Sequence, residues 1–259
     1  MNYGLYLSAS GVLTGLHKQD VIANNLANVN TVGFKADTVY TRQRLPARLE
    51  SPASWADPQW LLERLGGGLF AHPTYTNLRQ GNLVSTGNDL DLAIRGEGFF
   101  VTTTGQGTGP EHLRLTRDGR LARDASGDLV MAETGLRVLD VNDAPIRLGA
   151  TGSLHIDGRG QVVQNGQVLA TIQLVTVSDP TRLIKTGHNL MRLDPDRNVT
   201  RLPASGAIEQ GYVEASAVDP IMTLTALIST TKSIQGNVKM MQYHDNLMGQ
   251  AINTFGRVA

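Results

Sequence analysis

The sequence predicts an α+β protein whose N- and C-terminal helices pair as a coiled coil, with an extended linker and a central antiparallel β-rich domain between them. Three observations lead there. Apolar residues recur at steps of four and three near both ends, a Pro- and Gly-punctuated stretch follows the first helix, and short alternating runs split by turn signals fill the middle. The expected boundaries are 1–36 and 217–259 for the helical core, 37–88 for the linker and 89–216 for the β-rich domain.

From Tyr3 to about Ala27, Leu5, Ala9, Val12, Leu16, Ala23 and Leu26 follow a 3.5-residue period, with Gln19 as the one polar exception. Asn24, Asn25 and Asn28 close this run, where amide side chains can bond free backbone groups without adding charge. Gly33 suits a positive φ that turns the chain away from the seam, and Phe34 suits a buried anchor for the exit. The next stretch carries Pro46, Pro52, Pro58, Pro73 and the triplet Gly66-Gly67-Gly68, and reads as extended and irregular. Arg42, Arg44 and Arg48 within it lack aromatic interleaving, so a solvated or interfacial arm is the expectation rather than RNA contact.

Strands are expected from about Leu90 to Leu202, among them 90–94 and 99–103. Asp118-Gly119 and Asn165-Gly166 are hairpin signals, and Gly96-Glu97-Gly98 reads as a tight hairpin rather than a dinucleotide loop. Arg114, Arg117, Asp118, Arg120, Arg123, Asp124 and Asp128 are expected to face water or polar neighbours and to tolerate single substitution. The last helix should start at Pro220, capped by Asp219, and run to Phe255. Its seam comprises Leu224, Leu227, Ile234, Val238, Met241, Met248, Ile252 and Phe255, with Thr231 and Asp245 as polar members. Pairing the two seams buries both.

Composition removes several function classes. Among 259 residues, 23 Lys+Arg balance 23 Asp+Glu, which argues against a nucleic-acid binder. The absence of cysteine excludes a thiol nucleophile, a disulfide framework and a cysteine-based metal site. The six histidines are scattered without helical metal-ligand spacing, so no metal or other cofactor is expected. No segment approaches the ~18 uninterrupted apolar residues of a membrane span. The N-terminus lacks a basic region followed by an apolar core, so neither membrane insertion nor a cleaved secretory signal is expected.

Catalytic patterns are incomplete. Ser229-Thr230-Thr231-Lys232 and Lys185-Thr186-Gly187 match two signatures of penicillin-recognising enzymes, but in reversed order and with only Ser178-Asp179-Pro180 near the third. Asp89 and Asp91 share a strand face, where paired acids are usually solvated. A hydrolase site in the β domain stands as the alternative reading. The terminal helices favour another: residues 1–34 carry only Lys18 and Asp20, and residues 217–259 only Asp219, Lys232, Lys239, Asp245 and Arg257. Faces without charge suit contact with other protein, because burying an unpaired charge costs several kcal/mol. The expected assembly interface is Leu5, Val12, Leu16, Asn24, Asn25, Leu26, Asn28, Gly33 and Phe34 at one end, and Leu227, Ile234, Val238, Met241, Met248 and Ile252 at the other.

Three motifs sharpen this. Residues 22–35, Ile-Ala-Asn-Asn-Leu-Ala-Asn-Val-Asn-Thr-Val-Gly-Phe-Lys, resemble the N-terminal signature of flagellar basal-body rod and hook axial proteins at every fixed position. Residues 80–100, from Gln80-Gly81 through Leu90-Asp91 to Gly98-Phe99-Phe100, are similar to that family's second segment. Residues 210–218, Gln-Gly-Tyr-Val-Glu-Ala-Ser-Ala-Val, are similar to its entry into the last helix, with Ala217 where Asn is usual. The resemblance implies a non-enzymatic subunit of the rod, a helically assembled drive shaft that transmits torque from motor to hook. It implies terminal helices paired in the tube core and ordering on assembly. Implied partners are copies of itself, other rod and hook subunits, the flagellar export apparatus and the surrounding ring proteins. The implied place is the basal body in the periplasmic space, reached without a cleaved signal. Thr231-Lys232-Ser233 stands where distal-rod relatives show an Arg-x-Tyr-like element, and the ending Asn253–Ala259 also departs from theirs. The proximal rod is therefore the expected position, with the distal rod or another hook-basal-body protein as the alternative.

Overall fold

The computed structural model describes residues 3–45, 66–105, 109, 111–194 and 199–255; Pro46, Arg48, Pro52 and Pro58 lie outside the described residues, as does the chain end after Phe255. The chain divides into two compact units. One comprises Met1–Ala27, Asp37–Tyr75 and Asp219–Ala259, the other Asn28–Ala36 and Thr76–Val218. Two terminal helices packed on each other and an antiparallel β-rich centre make the fold α+β.

In the first unit, α1 (Tyr3–Ala27) packs against α2 (Pro220–Phe255). The start of α2 follows from its sequence: the Asp219 carboxylate accepts hydrogen bonds from the backbone N–H groups of Ile221 and Met222 at 2.9 and 3.0 Å. Pro220 at the first position forfeits no helical hydrogen bond. Between the helices in sequence come β1 (Asp37–Thr38), β2 (Thr41–Gln43), β3 (Leu69–Ala71) and β4 (Tyr75–Thr76). Strands β2 and β3 pair antiparallel with Arg42 opposite Phe70, and β3 lies on α1, where the Leu69 N–H donates to Ser10 Oγ.

The second unit holds β5 (Leu83–Ser85), β6 (Leu92–Arg95), β7 (Phe99–Thr103), β8 (Leu113–Thr116), β9 (Leu121–Arg123), β10 (Leu129–Met131) and β11 (Arg137–Val138). It continues with β12 (Leu154–Ile156), β13 (Gln161–Gln164), β14 (Gln167–Thr171), β15 (Leu174–Val177), β16 (Leu183–Gly187) and β17 (Leu190–Leu193). The last three are β18 (Arg201–Pro203), β19 (Ala207–Gln210) and β20 (Tyr212–Glu214). Strand β7 is the hub, pairing with β8 on one edge and with β15 and β11 on the other, and all five of its residues are buried. Side chains alternate across a strand, so Phe99 and Val101 join one apolar core with Leu115 and Met191, while Phe100 joins another with Leu129 and Ile146. Three aspartates close turns alike: Asp124, Asp140 and Asp157 each accept the backbone N–H groups two and four residues on.

Asn165 (φ 53°) and Gly166 (φ 80°) turn β13 into β14 as the dipeptide indicates. Two other turn readings need correction. Asp118-Gly119 does not close a hairpin: β8 before it pairs with β7 and β17, and β9 after it pairs with β10. Gly119 is there for close backbone approach, since a Cβ would sit 1.5 Å from the Leu92 carbonyl oxygen. Gly96-Glu97-Gly98 likewise joins strands of different sheets, β6 pairing with β19 and β7 with β8. The expectation of solvated charge also fails at three positions, because Arg117, Asp118 and Asp128 are buried. Each has a partner: Glu214 for Arg117, Arg120 for Asp118, and both Arg137 and Arg147 for Asp128.

Candidate functional site

Two arrangements stand out, one in each unit. In the first, three glycines of α1 let α2 approach closely. A Cβ on Gly4 would lie 2.6 Å from His244 Nε2, one on Gly11 2.7 Å from Asn237 Nδ2, and one on Gly15 2.7 Å from Ile234 Cγ1. Position rises along α1 as it falls along α2, so the helices run antiparallel. Each sequence-derived seam divides into two rows. Leu5, Val12 and Leu26 on α1, and Leu227, Ile234, Met241 and Met248 on α2, are half-buried at seven-residue steps. Leu16, Val238 and Ile252 belong to the outer rows and are exposed. The closest approach of α1 to α2 instead falls at its glycines, and the buried positions of α1 are Thr14, Ile22 and Asn25. Heptad reading misses it because it scores apolar bulk, while the closest approach follows the smallest residues.

The outer faces of both helices show large apolar side chains to solvent: Tyr6 is 72% exposed, Leu13 68%, Ile221 76%, Tyr243 63% and Leu247 62%. Beside them, α1 and the β2–β3 hairpin border an open groove of about 530 Å³, lined by Tyr6, Leu13, Leu69 and Phe70 among others. At the end of α1, Asn25 holds the returning chain by a pair of bonds. Its Nδ2 donates to the Asp37 carbonyl at 2.8 Å and its Oδ1 accepts the Asp37 N–H at 3.0 Å. Asn24 is exposed.

In the second unit, the three sequence motifs converge. Glu214 Oε1 accepts from Lys35 Nζ at 2.5 Å and from the Gly81 N–H at 2.8 Å, and its Oε2 accepts from Arg117 Nη1 at 3.0 Å. Lys35 also donates to the Arg79 carbonyl and Arg117 to the Gly96 carbonyl. The Arg117 guanidinium stands over the Phe99 ring at 5.4 Å, and the Lys185 ammonium over Phe34 at 4.8 Å while donating to the Lys35 carbonyl. Burial pushes the Lys35 ammonium below its ordinary pKa, and the Glu214 carboxylate opposes that shift. Gly33 turns at φ 69° with its N–H donating to the Glu214 carbonyl at 2.7 Å, and Phe34 is buried. Asn28, nearby in sequence, accepts the Thr31 hydroxyl.

Gly33 and Phe34 are thus fixed inside the β unit, and Asn25 is spent on its own chain. Lys35, Arg117 and Glu214 are the residues that sequence reasoning missed; the available signal was one lysine and one glutamate inside two motifs at opposite ends of the chain. Two elements of the hydrolase alternative are engaged elsewhere: Lys185 is bound as above, and Asp91 is buried with its carboxylate accepting from the Asn88 amide. Among the described residues, no group of three or more His, Asp or Glu could hold a metal ion, and no helix is long and apolar enough to cross a membrane.

Comparison with known proteins bears on both arrangements. The profile described as flagella basal body rod protein matches residues 5–35, the flagellar hook protein FlgE/F/G D1 domain matches 93–164, and the flagellar basal body rod FlgEFG protein C-terminal domain matches 209–254. Over its whole length the chain is 33% identical to the complete flagellar basal-body rod protein FlgF of Caulobacter vibrioides. It is 30% identical to FlgF of Mesorhizobium japonicum, with 99% of each chain covered. It is 31% identical to FlgG of Bacillus subtilis, with 96% of this chain and 97% of the relative covered. The chain belongs to the flagellar basal-body rod protein family. It is a structural subunit of the rod and not an enzyme, and it assembles with other rod and hook subunits in the basal body.

Proposed function

We propose that this subunit builds the proximal part of the rod, packing helically with its own copies and its neighbours into the shaft that transmits torque from motor to hook. The observation that carries the reading is the pair of terminal helices with apolar, nearly uncharged outer faces. An isolated chain would hide Tyr6, Leu13, Ile221 and Leu247 if it had the surface to do so; neighbours supply it. On this reading 1–36 and 217–259 form a coiled-coil core, 37–88 a linker and 89–216 the outer domain. Leu5, Val12, Leu16, Leu26, Leu227, Ile234, Val238, Met241, Met248 and Ile252 mediate assembly with Asn24 and Asn28, while Asn25, Gly33 and Phe34, engaged within their own chain, hold the helix exit in place. The protein leaves through the flagellar export apparatus, resides in the periplasmic space and meets the surrounding ring proteins there. The distal rod is the second reading, supported by the match to a FlgG.

Leu16→Asp and Val238→Asp test this. Both side chains are already exposed, at 44% and 38%, so a carboxylate at either is solvated in the free chain. Each variant is expected to keep its β unit folded and to lose rod incorporation and swimming. Normal swimming in both would refute the assembly role of these faces.

A further inference from the structure

Glu214 receives four hydrogen bonds from three separate stretches of chain: Lys35 and Gly81 on Oε1, Arg117 on Oε2, and the Gly33 N–H on its carbonyl. The stretch 33–35 is the chain just after α1, and Glu214 ends the strand that leads to α2. Around it, Asn189 Nδ2 donates to the Val32 carbonyl, Lys185 Nζ to the Lys35 carbonyl and the Ala215 N–H to the Asn82 carbonyl. Among the described residues, strand β20 pairs with β5 over three residues and β6 with β19 over four. Two-stranded pairs of this length are marginal by themselves. None of Lys35, Gly81, Arg117 or Glu214 belongs to the two apolar cores, whereas Leu92 and Ile94 of β6 and Ile208 of β19 do. The contacts are all charged or polar, and the Lys35, Arg117 and Glu214 side chains are 0%, 5% and 1% exposed. Arg117 Nε has no hydrogen-bond partner among the described residues, and the guanidinium is held by Glu214, Gly96 and the Phe99 face.

We propose that Glu214 is a latch, a positioning residue that clamps the chain leaving α1 to the strand entering α2 and that can open without unfolding the rest of the β unit. The clamp is all-or-none because of its charges. With Glu214 in place, two buried cations share one carboxylate; once it is withdrawn, both must find water, which opens the stretches that bury them. The nine-stranded sheet meets the clamp only at its margin, through the Phe99 ring under Arg117 and Lys185 on the Lys35 carbonyl, and keeps its own strand pairing and apolar cores when the clamp opens. Local opening of this kind is a separate cooperative event from global unfolding. The latch is a property of the β unit alone and does not depend on the position of the subunit in the rod.

Amide hydrogen exchange on the full chain tests the proposal. Glu214→Gln keeps the shape and an oxygen for Gly81 but removes the charge that Lys35 and Arg117 share. The Gly33 and Gly81 amides, which donate to Glu214, are expected to exchange on the order of 100-fold faster in this variant. The Leu129 and Leu139 amides, which donate to Ile146 and Val101 in the core, should stay within about threefold of the parent. Glu214→Asp keeps the charge but shortens its reach, and should give the same pattern at roughly 10-fold, so the test survives if Glu214→Gln does not fold. Equal acceleration at all four amides would mean the cluster is part of one global core and would overturn the latch. Unchanged exchange at Gly33 and Gly81 would overturn it equally.

Discussion

Replacing a helical glycine with alanine ordinarily stabilises a helix by ~0.8–1.0 kcal/mol, and this protein offers two sites where that rule should split. A Cβ added at Gly236, on the exposed side of α2, meets no atom within 4 Å. Gly236→Ala should therefore deliver the full propensity gain. A Cβ added at Gly15 of α1 falls 2.7 Å from Ile234 Cγ1 and 3.4 Å from its Cδ1. The contact is with Cγ1, one bond from the β-branch of a side chain stiff at χ1, so the helices themselves must part, and overpacking of this kind costs about 1–3 kcal/mol. Gly15→Ala should thus be neutral to destabilising by roughly 2 kcal/mol after the propensity gain is credited. Gly11→Ala falls between the two, because the Asn237 amide that its Cβ meets can rotate away. Thermal melting followed at 222 nm resolves these cases, since 1 kcal/mol moves the midpoint by about 4–8 °C in a unit of this size. Gly236→Ala should raise the helical transition and Gly15→Ala should lower it or leave it unmoved. Equal stabilisation by the two would show that α1 and α2 do not meet across the glycine face.

Arg117→Met should cost ~3–5 kcal/mol in urea unfolding, because it strips a partner from the buried Glu214, whereas Arg159→Ser at the exposed turn should stay within about 0.5 kcal/mol. Gly33→Ala meets both a positive φ and a Cβ position 2.4 Å from the Asp118 nitrogen, so it should prevent soluble expression of the folded chain; Gly166→Ala, with φ 80° and open space, should cost only about 1–2 kcal/mol by the same unfolding measurement. Arg201 holds the Asp143 carboxyl below its ordinary value of 3.8, so that pair stabilises the fold above this pH and the contribution fades as pH falls through the lowered value. Asp143→Asn should flatten the acid limb of a stability-versus-pH curve. Lys35 gives a slope of the same sign at the alkaline end: between its lowered folded value and 10.5 the unfolded chain binds the extra proton, so stability rises with pH there, and Lys35→Met should abolish that rise.

The two helices were legible because their signals are local. Asp219 and Pro220 cap and start α2 whatever lies elsewhere, and the apolar period persists through both helices. Asn165-Gly166 was legible for the same reason, since left-handed geometry at both residues suits a two-residue turn and little else. Asp118-Gly119 carries a similar local signal, yet the strands on either side of it join different neighbours, and pairing with strands dozens of residues away is not written in the dipeptide. Charge misled for a related reason. An arginine in an alternating strand reads as solvated, and Arg117 is buried because a carboxylate 97 residues further along meets it.

By itself, then, the sequence determined the two terminal helices with their caps and ends, the antiparallel β-rich centre, the membership in the rod family through three motifs, and the shortage of charge on the helices. Each of these rests on spacing, turn chemistry or composition, which act over a few residues. The tertiary structure alone decided that Gly4, Gly11 and Gly15 of α1 lie closest to α2, because closest approach depends on the depth of two facing surfaces at once. It alone decided that Lys35, Gly81, Arg117 and Glu214 share one buried site. Their attraction exists only where the fold has removed water and brought four distant stretches within hydrogen-bonding distance, and no local pattern encodes that.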